Sequence, residues 1–307
     1  MGLRIVFMGS PDFAIPSLEA LVGSRHQVVA VVSAEDKRRG RGGELMPTPV
    51  KAKAIDLGLP VVDWPNFKKA AVSDDGLASL GIPFAQPVDL FVVVAFKILS
   101  PQLLSLPRLG SLNIHASLLP AYRGAAPIQR ALMDGVIKTG CTIFMLDEGV
   151  DTGQWLAQES VTVGENETAG ELYDRLRKLG AEMLVKVLDA LESGEADLVP
   201  QDATQASYAP KLSHEDLLID LNRDARQVHN HIRALSPIPG AWMVYEGQRL
   251  RVYRTRTAAE YNPGLGQFKH VNGQHFVGCA SGSIELLEVQ LEGKRRMTAE
   301  EFFRGRR

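Results

Sequence analysis

Residues 89–120 read DLFVVVAFKILSPQLLSLPRLGSLNIHASLLP, and the fold follows from the two apolar runs inside them. DLFVVVAF (89–96) is apolar at successive rather than alternate positions, so a strand there is buried on both faces. SLNIH (111–115) is a second short strand, separated from the first by turn-forming residues. The pattern continues outward in both directions. RIVFM (4–8) and QVVAVVS (27–33) come before, and CTIFML (141–146) and WLAQESVTV (155–163) come after. Helical spacing fills the intervals at about 14–23, at VKAKAIDLG near 50–58, and at APIQRALMDG (126–135). Apolar strands alternating with helices predict an α/β fold, a doubly wound, mostly parallel sheet covered on both faces. Such sheets bind ligands beyond the carboxyl ends of their strands, where strand order reverses. Asn113 and His115 stand at such an end.

The second half of the chain changes character. TAGELYDRLRKLGAEMLVKVLDAL (168–191) is a long amphipathic helix opened by a capping box of Thr168 and Glu171, and it closes a first domain over 1–191. Residues 192–207 have little periodicity and read as a linker. From 208 to 307 a short helix, DARQVHNHIRAL (224–235), precedes several short strands with glycine turns: WMVYEG, QRLRVYRTR, HFVGCA and SIELLEVQL. These predict a smaller C-terminal β-barrel of the OB-like kind. That domain holds 15 Lys and Arg against 11 Asp and Glu, a net +4 that leaves the first 207 residues at -6.

At 307 residues the chain exceeds the usual single core, in keeping with two domains. A net charge of -2 excludes a uniformly basic nucleic-acid binder, so any such contact must be a local patch. Two distant cysteines, Cys141 and Cys279, give neither a disulfide framework nor a zinc-binding pair. No run is long and apolar enough for a signal peptide or a membrane span. A soluble protein of the reducing cytoplasm is expected, and no apolar heptad argues against a monomer.

Four places could carry chemistry. After the first strand, MGSPDFA has only Gly9 of the dinucleotide fingerprint, with Pro11 where a second glycine belongs, so it reads as a tight strand-to-helix turn. Asn113 and His115, two apart on a strand, share a face. An amide donor beside an imidazole suits acyl transfer, where preorganised donors stabilise the oxyanion and an imidazole can move a proton. The plain alternative is a turn-capping asparagine and a satisfied core histidine. In MLDEGVDTGQ (145–154), Asp151 lies in a glycine-containing loop, where it either favours a cationic imidazole nearby or makes a local turn hydrogen bond. AEDKRRGRGGELMPTPVK (34–51) concentrates Lys and Arg among glycines, which fits a phosphate-backbone contact or a solvated surface loop.

Taken together, these residues resemble the methionyl-tRNA formyltransferase family across nearly the whole chain. The resemblance is carried by FMGSPDFAIPSLEAL, GRGGELMPTPVK, GSLNIHASLLPAYRGAAPIQRAL, DEGVDTG, YAPKLSHEDLLIDL and IRALSPIPGAW, in order. It implies direct transfer of a formyl group from 10-formyltetrahydrofolate to the amino group of initiator methionyl-tRNA, without a metal or a covalent enzyme intermediate. Asn113, His115 and Asp151 fall on the family's catalytic triad, and Ser117, Leu118, Leu119 and Pro120 on its folate-binding stretch. By topology Val94, Ala95 and Phe96 would wall the pterin pocket. Lys37, Arg38, Arg39 and Arg41 would meet the acceptor stem, joined by Arg249 and Arg251 on one face of a C-terminal strand. Sugar-nucleotide N-formyltransferases share the chemistry, and the basic loop is what separates the two readings. Leu221 and the segment 74–89 depart from the family pattern.

Overall fold

The structure, a computed structural model, describes residues 2–39, 43–71 and 88–304, with Arg39, Ala70 and Ala71 defined by their backbone alone. The chain divides into two compact units. One comprises Met1–Arg123, Gly140–Ser160 and Asp174–Ser207; the other comprises Gly124–Thr139, Val161–Tyr173 and Tyr208–Arg307. Residues 192–207, expected as a linker, thus belong to the first unit.

In chain order the elements begin with β1 (Arg4–Gly9), α1 (Ile15–Val22), β2 (Gln27–Ser33), β3 (Lys37–Arg39) and β4 (Glu44–Met46). Next come α2 (Pro49–Asp56), β5 (Val61–Asp63), α3 (Trp64–Ala71), β6 (Leu90–Val94), α4 (Pro101–Leu104) and β7 (Ser111–His115). Then follow α5 (Pro127–Met133), β8 (Lys138–Met145), β9 (Trp155–Thr162) and α6 (Ala169–Ser193). Beyond 207 lie α7 (Ala225–Ala234), β10 (Ala241–Tyr245), β11 (Gln248–Ala258), β12 (Phe268–Val271), β13 (Gln274–Gly278), β14 (Ser283–Leu291), β15 (Met297–Thr298) and α8 (Ala299–Phe303).

The large sheet has the order β5-β2-β1-β6-β7-β8-β9. Its ladders from β5 to β7 are parallel, and β8 runs antiparallel to β7. The chain lays β1, β2 and β5 outward on one side, then returns to place β6 on the other side of β1. The reversal therefore lies between β1 and β6, one strand from β7. Both faces are covered, as the unbroken apolar runs predict. On β1, Val6 and Met8 join one cluster with Val29, Ala30, Val32, Phe91 and Val93, while Ile5 and Phe7 are buried on the opposite face.

Local sequence sets the turns between these elements. A Cβ at Gly9 would stand 2.9 Å from the Cβ of Ala14 and 3.2 Å from the carbonyl of Val94, so the exit of β1 is a packed turn into α1 and not a phosphate loop. Thr48 caps α2 by accepting the Lys51 N–H at 3.1 Å, with Pro49 at the first helical position. Glu171 Oε2 accepts from the Thr168 N–H at 2.9 Å and from its hydroxyl at 2.8 Å, forming the expected box at the start of α6. The basic stretch read as a loop is a hairpin at its described ends: Lys37 pairs with Met46, Arg38 with Leu45 and Arg39 with Glu44. Strands of three residues have no period that could announce them.

In the second unit an antiparallel sheet runs β10-β11-β14-β13-β12, with β15 on β14. The expected barrel is seen as this sheet, whose end strands β10 and β12 share no ladder among the described residues. Its core gathers Val228, Ile232, Leu250, Val252, Val277, Ile284, Val289 and Phe302, and Leu221 packs against it. Arg130 of α5 forks onto Asp216 with two bonds of 2.9 Å, and Ser213 donates to the same carboxylate through its N–H at 2.7 Å. The Arg130 hydrogen bonds hold the Asp216 carboxyl down at about 2.

Candidate functional site

β7 supplies the two polar residues because its register puts them at the carboxyl end of a buried strand. Asn113 lies across from Val93 of β6 on one side and Phe144 of β8 on the other; His115 pairs with Thr142. Leu112 and Ile114 point to the opposite face and are buried. The Asn113 Oδ1 is buried with no hydrogen-bond partner among the described residues. His115 is 6% exposed, and its Nε2–H donates to the Tyr122 carbonyl at 2.8 Å. A carbonyl can only accept, which fixes the proton on Nε2 and leaves Nδ1 as the variable nitrogen. The carboxylate facing that nitrogen is Asp151, with Oδ2 at 3.7 Å. The three residues predicted from sequence therefore converge in the first unit.

The backbone around them is held in uncommon conformations. Among the described residues five that are not glycine have positive φ, and three are here: Ala95 at 47°, Tyr122 at 60° and Asp151 at 55°. Such residues persist only where neighbours over-determine them. In the 145–154 loop, Asp147 makes the turn hydrogen bonds, accepting from the Gly149 N–H at 3.1 Å and from the Thr152 hydroxyl at 2.6 Å. Asp151 is thereby left to face His115. A Cβ at Gly153 would fall 1.7 Å from the Met145 carbonyl oxygen, so this turn admits only glycine.

The 117–120 stretch is braced from behind. Thr142 donates its hydroxyl to the Ser117 carbonyl at 2.7 Å and accepts the Leu119 N–H at 3.0 Å; Gln158 donates to the Leu119 carbonyl at 2.6 Å. The Ser117 hydroxyl is spent on the Ala121 carbonyl at 2.6 Å. Ser117 and Leu119 are buried, which leaves Leu118 and Pro120 as the partly open pair. At the end of β6, Val94 is fully buried, Ala95 is exposed, and Phe96 meets Trp64 edge-on with centroids 5.2 Å apart.

Of the basic residues, Lys37 and Arg38 are exposed on β3, Arg39 is on the same strand, and Arg41 lies outside the described residues. In the second unit Arg249 and Arg251 flank the buried Leu250 and share one face of β11. The Arg249 guanidinium sits 4.4 Å over the ring of Trp242.

Neither cysteine is a candidate nucleophile, since burial pushes the Cys141 thiol up to about 12 and the Cys279 thiol up to about 11. His26, Asp189 and Glu192 are close enough to hold a metal. Arg25 already binds both carboxylates, at 2.6 and 2.8 Å, and the group lies before β2, at the opposite end of the parallel strands from His115.

The sequence reading missed Arg123, Gln201 and Ser207. The Gln201 amide donates to the Asp151 carbonyl at 3.0 Å and to the Gly153 carbonyl at 2.7 Å, and it accepts from Arg123 at 2.7 and 3.1 Å. Because these bonds meet backbone carbonyls, no spacing of side chains could have announced them.

The family model described as "Formyl transferase" matches residues 3–188, and that described as "Formyl transferase, C-terminal domain" matches 211–307. The chain is 42% identical over 307 residues to a methionyl-tRNA formyltransferase from Syntrophomonas wolfei, covering 99% of this chain and 96% of that protein. It is 43% identical over 306 residues to one from Geobacter sulfurreducens, covering 99% and 94%. Among solved structures, an N-formyltransferase from Helicobacter canadensis in complex with folinic acid and dTDP-3-aminofucose superposes with a TM-score of 0.69. That likeness covers 96% of this chain and all of that one, at 17% identity, and speaks for the fold alone.

Proposed function

Because the chain belongs to the methionyl-tRNA formyltransferase family, we propose that it transfers the formyl group of 10-formyltetrahydrofolate to the free amino group of initiator methionyl-tRNA. The observation that carries this reading is the Asn113 carboxamide, whose buried Oδ1 has no hydrogen-bond partner among the described residues, beside an imidazole facing a carboxylate. Such a group fits a bound amine and a formyl donor better than it fits a folded core.

10-Formyltetrahydrofolate supplies an activated one-carbon group. The chain's own residues hold and move the charges. Asn113 can accept from the attacking amine at Oδ1 while its amide N–H donates to the formyl oxygen, which becomes negative as the bond forms. His115 keeps Nε2–H on Tyr122, so Nδ1 does the work. Protonated, it donates to the oxyanion; neutral, it can take up the amine's proton. Asp151 balances the imidazolium and orders the groups that pass the proton to the departing folate nitrogen. Leu118 and Pro120 with Ala95 and Phe96 wall the pterin, the fully buried Val94 backs that wall, and Ser117 and Leu119 shape the turn.

For the acceptor, Lys37, Arg38, Arg39 and Arg41 are assigned to the phosphates of the acceptor stem, and Arg249 and Arg251 to further phosphates. In this reading residues 1–191 carry catalysis and 208–307 tRNA binding. No helix among the described residues is long and apolar enough to cross a membrane, and we assign the protein to the cytoplasm as a monomer. The deciding experiment is formyl transfer from 10-formyltetrahydrofolate to methionyl-initiator tRNA, which should yield formylmethionyl-tRNA well above background. Absence of that product would remove the reading, and transfer to an amino-sugar nucleotide in its place would establish the sugar formyltransferase alternative.

A further inference from the structure

We infer that Gln201, braced by Arg123 and Ser207, is the positioning residue that sets the Asp151 carboxylate against the His115 imidazole; this rests on the proposed roles of those two residues. Asp151 sits at φ 55°, a conformation that a non-glycine residue keeps only under restraint. One amide supplies two of the bonds that hold it. Gln201 Nε2 donates to the carbonyls of Asp151 and Gly153, one at the carboxylate's own residue and one two residues on. Gln201 Oε1 takes two N–H bonds from Arg123, itself 6% exposed.

All four hydrogen-bonding positions of the primary amide are thus filled. A glutamate could keep the two bonds from Arg123 at one oxygen but would turn its other oxygen, an acceptor, toward two carbonyls. A lysine or arginine could donate to the loop but would oppose Arg123. Asparagine is one carbon short. Only glutamine satisfies both sides from this backbone position.

The same segment holds the other half of the pair. The Ser207 carbonyl accepts the Arg123 N–H at 2.9 Å, and the Ser207 hydroxyl accepts the Tyr122 N–H at 2.9 Å. These bonds fix Tyr122 at φ 60°, the conformation in which its carbonyl meets His115 Nε2. Residues 201–207 therefore set both the tautomer of the imidazole and the place of its carboxylate. A stretch that looked like a tether between domains is part of the site's frame, and Gln201 acts through Asp151 without touching substrate.

The test is a double-mutant cycle on the full chain. Gln201→Glu should lower kcat about tenfold or more, leave KM for both substrates within about twofold, and shift the pH profile of kcat. In an Asp151→Asn background the same change should cost less than about threefold, because the group it positions is already gone. Parental kcat and pH profile in Gln201→Glu, or effects that multiply in the double variant, overturn the inference while leaving the reading of the site intact. Full activity in Asp151→Asn alone overturns the site reading, and the inference with it. Thermal unfolding monitors the fold. If Gln201→Glu does not fold, Gln201→Asn carries the same test: its amide is one carbon short of the Asp151 and Gly153 carbonyls, it should lower kcat about threefold or more with a shifted pH profile, and parental values of both overturn the inference.

Discussion

A buried acceptor without a partner costs about 1–3 kcal/mol of folding free energy, and among the described residues the Asn113 Oδ1 has none. The cost is recovered only when something binds. Asn113→Ala should therefore separate activity from stability in an unusual way. Turnover should drop about a hundredfold or more, as expected for a lost oxyanion donor, while the thermal midpoint should not fall. Steady-state kinetics and calorimetry on one preparation check both halves. Gly153 gives the opposite pattern. With a new Cβ 1.7 Å from the Met145 carbonyl, Gly153→Ala must displace the loop that carries Asp151, so it should lose at least about 2 kcal/mol of stability together with activity, readable by urea unfolding. Both residues sit in stretches whose chemistry the sequence announced: a polar pair at the end of a greasy strand, and an aspartate between Val150 and Thr152-Gly153. Gln201 gave no such signal. Its partners are carbonyls, which every residue has, and its surroundings read as a tether because they lack periodicity.

Elements with a strong period were legible. β2, β7 and β14 span the ranges read from their apolar runs, and α6 opens on the box read at Thr168 and Glu171. The three-residue strands β3, β4 and β5 were not read, since so short a segment has no period and its pairing is decided by its neighbours. Helix α5 was read in place, but its anchor was not. That anchor is Asp216, eighty-six residues on, whose carboxyl accepts both arms of Arg130. The hydrogen bonds from Arg130 lower its folded-state value from the ordinary 3.8 to about 2. Its stabilisation is therefore complete above pH ~4 and is lost as pH falls toward 2, by an amount on the order of 2 kcal/mol. Between pH 5 and pH 2.5 the loss of stability in urea unfolding should be smaller in Asp216→Asn than in the parent protein by about that increment, since carboxyls such as Glu171 are lowered in both.

At the scale of the molecule, the charge division of -6 and +4 implies that tRNA is held by patches and not by the overall field. Arg41→Ala should raise KM for methionyl-tRNA several-fold with KM for the folate unchanged, and paired Arg249→Ala and Arg251→Ala should flatten the salt dependence of tRNA use. An unchanged dependence on tRNA concentration would remove the loop assignment. The division of the chain was less legible than its fold class, because 124–139 and 161–173 carry patterns typical of the first domain yet pack with residues beyond 208. This has a consequence for how the protein is made. On a ribosome the first unit is fully synthesised once Ser207 has emerged. Its neighbour's opening pieces were delivered earlier and must wait for the strands from Ala241 to Leu291 and for α8. At 5–20 residues per second the hundred residues after 207 take roughly 5–20 s to appear, so α5 and the start of α6 spend that interval without their partners. In vectorial synthesis the first unit would be ready first, and the nascent chain would be most open to chaperones and proteases at the half-built second unit.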